Sequence, residues 1–220
     1  FLVGATEEML DKFAETLVGR YPSLVIAGRR ASKFRQLTTG ERDELAKEIK
    51  TSEDGKAITF ILRDNVKFHD GKPFTSADVK YTFDELFRTK GYKSFAFYDT
   101  VNKAPVAHII SIDTPDAGTV VFNLARPELK NQLLSNLVAI PIISQGSSSQ
   151  IKAAPVGTGP FKFVSFDQSQ NTVDLAAFPD YWEGGPKVAK LRVKTVTDAS
   201  ALQAELQTGG VDLAPVPSNL

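Results

Sequence analysis

The chain has 220 residues, of which 42% are hydrophobic and 24% are charged, as is usual for a globular protein. Its 26 basic and 26 acidic side chains cancel, which excludes the net positive field that attracts nucleic acid or an anionic membrane surface. It has no cysteine and no apolar run of about 20 residues, which excludes disulfides, zinc–thiolate sites and a membrane-spanning helix.

The amino-terminal part predicts a strand–helix–strand unit. FLVG is a short apolar run, Thr6 caps a helix with apolar residues at helical spacing, and LVIAG (24–28) is a second strand. Two strands joined by a helix favour a parallel pair with a right-handed crossover. The run TGERDELAKEI (39–49) predicts a further short helix.

The middle of the chain predicts alternating strands and helices. AITFILR (57–63) is a strand, and PFTSADVKYTFDELF (73–87) is a helix capped by Thr75 or Ser76, with one apolar stripe. The run 107–124 predicts a hairpin that turns at TPDAG, and 127–138 predicts a helix that begins at a proline.

The remainder begins with SQGSSSQIKAAP (144–155), which has the composition of a linker. A hairpin over 159–178, a strand at 191–198 and a helix ending at Gly209 and Gly210 follow, and 211–220 predicts a last short strand. The pattern indicates a mixed α/β protein divided near residue 150.

Histidine, aspartate and glycine stand together in KFHDGKPF, and two interpretations compete. His69 and Asp70 form a catalytic or metal-binding pair, or they hold a turn. A metal site needs further ligands, and the other histidine, His108, lies on a predicted strand elsewhere. A turn needs only the positive φ of Gly71 and backbone hydrogen bonds to Asp70. We therefore predict a strand-to-helix corner.

Other patterns of catalysis are weak. The sequence has no G-x-S-x-G nucleophile motif, and Pro160 follows GTG where a phosphate site would need free N–H groups. Paired carboxylates for glycoside cleavage and a hard-cation site stay open, because 26 acidic residues offer many pairs. The residues alone thus give almost no signal for catalysis, and we predict no cofactor.

Three further runs form an ordered set. They are LAKEIKTSEDGKAITFILRDNVKFHDGKPFTSADVKYTF (45–83), PVGTGPFKFVSF (155–166) with FPDYWEGGPKVAKLRV (178–193), and ALQAELQTGGVDLAPVP (201–217). Together they resemble the family 5 solute-binding proteins, which serve ABC importers for peptides, nickel and some sugars.

The resemblance implies a binding protein and not an enzyme. Its two lobes would close on a ligand, and a membrane permease would recognise the closed form. It implies a mixed-sheet lobe of a type II periplasmic-binding-protein-like fold with an accessory α/β domain. The domains would be an amino-terminal segment (1–50), the accessory domain (51–150) and a return to the first lobe (151–220). The ligand would be a peptide or another small solute, and the location periplasmic or extracellular, with a membrane anchor in the full-length form.

The resemblance carries structural residues to matching positions. We also expect ligand contacts on the hinge side, at Pro215, Val216 and Pro217. The structural positions are Arg63, His69, Asp70, Gly71, Gly157, Thr158, Gly159, Pro160, Tyr181, Trp182 and Asp212.

Two departures accompany the resemblance. The chain ends near the expected hinge, so we expect the second lobe to be absent. It starts at Phe1 without an initiator Met or a leader, so we expect a mature form or a cut piece. Residues 1–50 are more similar to a segment of the teichoic-acid and N-acetylmannosamine type of glycosyltransferase. A divergent first lobe, a chimera without its own ligand and a glycosyltransferase-like nucleotide-sugar enzyme therefore remain as alternatives.

Overall fold

The computed structural model describes residues 23–28, 45–101, 104–137 and 140–214. These residues belong to two compact units, of which one is contiguous and ends at Thr158 and the other is made of two separate parts of the chain. We call the described residues from 45 to 158 the central unit. The split unit consists of 23–28 together with 159–214.

The described residues form ten strands and three α-helices. The strands are β1 (Ser23–Gly28), β2 (Ala46–Thr51), β3 (Ala57–Leu62), β4 (Tyr98–Val101), β5 (Ala104–Ala107), β6 (Ile109–Asp116), β7 (Thr119–Leu124), β8 (Phe161–Asp167), β9 (Thr172–Ala177) and β10 (Lys190–Thr195). The helices are α1 (Ser76–Arg88), α2 (Lys130–Leu137) and α3 (Ala199–Thr208), and 3₁₀ turns cover Tyr92–Phe97 and Pro127–Leu129.

The central unit contains an antiparallel sheet with the order β2-β3-β7-β6, and β4 pairs with β5 in a separate ribbon. Helix α1 lies against β6 and β7. The aromatic centre of the core is the ring of Phe83, whose centroid is 5.1 Å from that of Phe122 and 5.6 Å from that of Phe97. All three rings are buried, so the apolar stripe predicted for α1 is core, and the helix and the hairpin β6–β7 are confirmed.

The helix predicted over 39–49 is wrong in the part that the structure describes, since β2 begins at Ala46. The run AKEIKT pairs antiparallel with β3, with a bulge between Ala46 and Glu48. Pairing along the free edge of β3 overrides the helical propensity of this short run. Residues 39–44 lie outside the described residues.

The split unit contains a sheet with the order β1-β10-β9-β8, in which β1 is parallel to β10 and the other pairs are antiparallel. The predicted strand LVIAG, the β8–β9 hairpin, the strand β10 and helix α3 are confirmed. The predicted parallel partner FLVG and the helix after Thr6 lie outside the described residues.

Helix α3 has a conventional start and end. The Asp198 carboxylate accepts a hydrogen bond from the N–H of Ala201 at 2.8 Å, and Gly209 ends the helix with a φ of +75°. The chain then packs Val211 against Val196 and Leu202 in a small apolar core. The strand predicted over 211–220 is not formed at 211–214, and the rest of it lies outside the described residues.

The serine-rich run 144–155 differs from the predicted linker. It forms a series of turns, and Ser144 at its start is buried. The N–H of Gln145 donates to the Asp78 carboxylate of α1 at 2.8 Å, and the Tyr81 hydroxyl of α1 lies 2.9 Å from Oγ of Ser148. The composition is that of a flexible segment, but these contacts hold the run on helix α1.

Candidate functional site

The corner that contains His69 is built by backbone hydrogen bonds. Lys67 and Pro73 form an isolated antiparallel bridge, and the N–H of Phe68 donates to the carbonyl of Lys72 at 2.8 Å. Gly71 has a φ of +85°, which an L side chain rarely adopts, and its N–H donates to the carbonyl of Phe68 at 2.8 Å. This tight turn leads from the buried ring of Phe68 into helix α1.

His69 contacts a residue far along the chain within the same unit. Its backbone N–H donates to the carbonyl of Gly157 at 2.9 Å, and the N–H of Gly157 donates to Nδ1 of His69 at 3.2 Å. Because Nδ1 accepts this bond, the neutral ring carries its proton on Nε2. A Cβ on Gly157 would lie 3.7 Å from Cε1 of His69, an ordinary contact distance. The two residues thus form a reciprocal backbone and side-chain link.

Asp70 has its own partner. Its carboxylate accepts a hydrogen bond from the N–H of Lys72 at 3.2 Å and forms an ion pair with Nζ of Lys72 at 2.9 Å. Burial acts to raise the pKa of Asp70, but the side-chain and backbone hydrogen bonds from Lys72 outweigh it, and the pKa is lowered. These contacts place Asp70 in the turn.

The structural positions that the resemblance carries over, here called the signature residues, fall at several places. Arg63 follows β3, and its N–H donates to the carbonyl of Leu45 at 3.1 Å. Thr158 ends the central unit and Gly159 begins the split unit. Pro160 accepts a hydrogen bond from the N–H of Phe178 at 2.8 Å, which joins the entry of β8 to the end of β9.

The last part of the signature lies in the split unit. The rings of Tyr181 and Trp182 are 5.5 Å apart and half-buried, and the Tyr181 hydroxyl donates to the Glu183 carboxylate at 2.7 Å. Asp212 is also half-buried and directly follows the buried Val211. The expected ligand contacts Pro215, Val216 and Pro217 lie outside the described residues.

A second histidine centre is a feature that the sequence analysis missed. His108 is buried, and its Nε2 lies 3.0 Å from Oδ1 of Asp99, whose Oδ2 lies 2.6 Å from Arg126. Hydrogen bonds from His108 and then from Arg126 lower the pKa of Asp99. These contacts connect the β4–β5 ribbon to the end of β7. No local sequence pattern marks this contact, because the burial of His108 and its closeness to Asp99 arise only in the folded chain.

Helix α1 also carries a polar face whose long-range contacts the sequence does not predict. Asp78 is 5% exposed, and its Oδ2 accepts from the N–H of Thr75 at 2.8 Å in a capping box. Its Oδ1 accepts from Gln145, and Oγ1 of Thr82 accepts from the N–H of Ile143 at 3.0 Å. These groups therefore satisfy the backbone donors of Ile143 and of Gln145, at the start of the serine-rich run.

Neither a metal-binding group nor a helix that could cross a membrane is found among the described residues. Among them, histidine and carboxylate side chains do not come together in a group of three that would hold a metal ion. The helices in this part of the chain lack the length and hydrophobicity to cross a membrane. The polar contacts of His69, Asp70 and His108 connect parts of the fold.

The sequence model of the bacterial extracellular solute-binding proteins, family 5, matches residues 42–219. A Brucella ovis protein named as an ABC transporter peptide-binding protein is 37% identical over 185 residues, which cover 80% of this chain and 33% of that protein. The dipeptide-binding protein of Escherichia coli is 30% identical over 208 residues, which cover 86% of this chain and 39% of that protein. The chain thus spans less than half the length of these relatives.

Solved structures show the same architecture. AgaA of A. tumefaciens, in complex with agropinic acid, is 27% identical with a TM-score of 0.71, over 87% of this chain and 43% of that one. AppA of Bacillus subtilis, in complex with a nonapeptide, has a TM-score of 0.70 at 24% identity over 90% of this chain and 44% of that one, and supports the fold alone.

The expected type II periplasmic-binding-protein-like architecture is therefore confirmed, and these matches do not support the glycosyltransferase resemblance of residues 1–50. The motif at 45–83, which includes the His69 corner, lies inside the matched segment. The chain belongs to the bacterial extracellular solute-binding proteins of family 5.

Proposed function

We propose that this chain is part of a receptor that binds a peptide-like ligand and delivers it to the permease of an ABC importer. The observation that carries the proposal is the family match over residues 42–219. The relatives that are at least 30% identical and named for a ligand include peptide-, dipeptide-, oligopeptide- and glutathione-binding proteins. Each of them is longer than this chain, so the activity proposed is that of the whole protein.

A peptide ligand is favoured over the other ligands of the fold. NikZ of Campylobacter jejuni holds a nickel–histidine complex, and AgaA holds agropinic acid, at 25% and 27% identity. The Brucella relative, at 37% identity, is named for a peptide. Peptides in clefts of this kind are held largely through their backbone, which permits many side chains.

We propose that the signature residues serve the fold and that the protein acts by binding, without a catalytic step. The link between His69 and Gly157 and the ion pair between Asp70 and Lys72 support this proposal. The contact of Pro160 with Phe178 supports it in the split unit. Ligand contacts at Pro215–Pro217 stay a prediction from the resemblance.

We propose a location outside the cytoplasmic membrane, periplasmic or extracellular, with a membrane anchor on the full-length protein. The family description as extracellular proteins supports the location. Cell fractionation checks both parts: the full-length protein should leave the cytoplasmic fraction, and an anchored form should remain with the membrane until detergent is added. Recovery in the cytoplasm would contradict the location.

Native mass spectrometry of the full-length protein that contains these 220 residues tests the function. We expect the isolated protein to carry a retained mass that fragments as a peptide. After removal of this ligand by unfolding and refolding, calorimetric titration should show saturable binding of a peptide mixture. Titration of the same sample with nickel–histidine and with agropinic acid is the matched control for ligand class.

The outcomes separate the alternatives. If nickel–histidine or agropinic acid binds saturably and the peptides do not bind, the protein is still a receptor but the peptide assignment is wrong. If a nucleotide sugar binds saturably and the peptides do not, the receptor function is wrong and the enzyme alternative is favoured. A refolded protein that binds none of these compounds would contradict the proposed function.

A further inference from the structure

Two aromatic residues protrude from the central unit. Tyr92 is 91% exposed and Phe95 is 67% exposed. They lie three residues apart in the 3₁₀ turn Tyr92–Phe97, a spacing that puts side chains on one face of such a turn. We call this pair the aromatic ridge. An aromatic side chain has about 150–250 Å² of surface, so the ridge exposes on the order of 300 Å² to water.

An ordered backbone presents the ridge. Phe97, at the end of the turn, is buried, and its ring centroid is 5.6 Å from that of Phe83. The carbonyl of Ala96 accepts a hydrogen bond from Nδ2 of Asn136 at 2.7 Å, and the carbonyl of Phe97 accepts from the N–H of His108 at 2.9 Å. The exposure of the two rings is therefore a property of the folded unit.

The ridge stands beside a groove whose lining is mostly apolar. The groove has a volume of about 400 Å³ and lies between the 3₁₀ turn and helix α2. This volume is near the lower end of the range of binding pockets, roughly 300–1,000 Å³. The described residues that line it are Tyr92, Lys93, Phe95, Ala96, Asn136 and Ile140.

The ridge by itself is too small for a stable interface with a separate protein. Such an interface buries about 800 Å² on each side, more than twice the roughly 300 Å² that the ridge exposes. A segment of the same polypeptide needs less contact area, because covalent attachment gives it an effective concentration of roughly 1 mM. The size of the ridge therefore favours an occupant from the same molecule.

Much of a protein of this family lies outside the length that these residues match. The matched segment covers 33% of the Brucella ovis relative and 39% of the Escherichia coli relative. In the structure of AppA it covers 44%. As part of such a receptor, this chain leaves more than half of the polypeptide available to cover the ridge.

We propose that the aromatic ridge and its groove form an intramolecular interface, which apolar side chains of the second lobe cover in the full-length receptor. The inference rests on the proposed function, because only a receptor longer than these residues has a second lobe. Aromatic surface of this size, left in water, promotes association between molecules, and an intramolecular contact removes it.

Hydroxyl-radical footprinting of the isolated full-length protein and of the 220-residue chain tests the inference. In the 220-residue chain, Tyr92 and Phe95 should be oxidised at rates typical of exposed rings. In the full-length protein both rates should fall severalfold, towards the rate of the buried Phe97. Phe97 should be protected in both proteins, which shows that the central unit is folded in each.

A photoreactive side chain identifies what covers the ridge. With Tyr92 of the full-length protein replaced by p-benzoylphenylalanine, irradiation should join position 92 to a peptide of the same molecule that lies outside these 220 residues. The yield should not depend on protein concentration, as expected for a contact within one molecule. The matched control is the same replacement of Ile110, which is 71% exposed on β6 and should not join to that peptide.

The outcomes separate this inference from the proposed function. Unchanged oxidation of Tyr92 and Phe95 in the full-length protein would overturn the inference, and so would a cross-link to another part of these 220 residues or to a second molecule. If the full-length protein binds peptides while its ridge is still oxidised, only this inference is wrong. If the ridge is protected and joined to the second lobe in a protein that binds no peptide, the inference holds and the proposed ligand is wrong.

Discussion

The replacement Asp78→Ala tests how much the hydrogen bonds of this carboxylate, which hold the serine-rich run on helix α1, contribute to the free energy of unfolding. The Asp78 carboxylate accepts three hydrogen bonds: from the N–H of Thr75 at 2.8 Å, from Oγ1 of Thr75 at 3.0 Å and from the N–H of Gln145 at 2.8 Å. Its side chain is buried, so water cannot easily replace the lost acceptor. Alanine leaves two backbone donors without their partner.

The expected loss follows from these bonds. Each partly buried donor left unsatisfied costs about 1–3 kcal/mol, towards the lower end for Gln145, and the lost capping box falls within the same range. Alanine regains about 0.5 kcal/mol of helix propensity relative to aspartate. We therefore expect the free energy of unfolding to fall by about 3 kcal/mol. Asp78→Asn keeps one carbonyl acceptor and should lose roughly half as much.

Urea unfolding, followed by far-ultraviolet circular dichroism, measures this loss of stability. Hydrogen exchange then shows which backbone amides lose protection. The amide of Gln145 should exchange much faster in the Asp78→Ala variant, because its acceptor is gone. Asp84→Ala is the control on the same helix, since Asp84 is exposed and pairs only with Lys80 in the ion pairs described, at 3.2 Å. That change should cost less than about 0.5 kcal/mol. Equal stability of the two variants would refute the reasoning.

Two further changes test the turn and an ion pair. Gly71→Ala should destabilise the protein by about 1–2 kcal/mol through backbone strain alone, since φ is +85° and a Cβ would meet no atom within 4 Å. The control Gly118→Ala should cost less, because the φ of Gly118 is not in the left-handed region. Equal melting temperatures of the two variants would contradict this. For Glu85, the hydrogen bonds from Arg88 and then from Ser148 lower the pKa from 4.5 to about 2. The stability that Glu85 adds is present above pH 4.5 and is lost as pH falls through about 2, so the melting temperature of wild type should converge on that of Glu85→Gln over this window. A constant difference would count against the pair.

Features that depend on neighbouring residues could be predicted from the sequence. Helix α1 was predictable because its cap at Thr75 and its apolar stripe at Val79 and Phe83 are local patterns. The β8–β9 hairpin and helix α3 were predictable for the same reason, with the stop at Gly209 given by its positive φ. The turn at Gly71 also follows from local residue chemistry.

Features that depend on distant residues could not be predicted in this way. The N–H of Gln145 meets Asp78 across 67 positions, and Gly157 meets His69 across 88. Composition therefore indicated a free linker where side chains of α1 hold the chain. Strand β2 was missed because a run with helical propensity pairs with the edge of β3, and sequence periodicity does not report that pairing.

The contiguous central unit has a core of its own, so we expect residues 42–158 to fold when they are expressed alone. Phe68, Phe83, Phe97 and Phe122 are each at most 2% exposed and lie within this segment, as does the sheet β2-β3-β7-β6. Such a length is typical of an independent domain. The excised segment should unfold cooperatively on heating and show dispersed amide resonances. Phe83→Ala, which removes the central ring, should cost about 3–5 kcal/mol and is the reference for a damaged core. Dye binding without a cooperative transition in the unmodified segment would show that its core requires the rest of the chain.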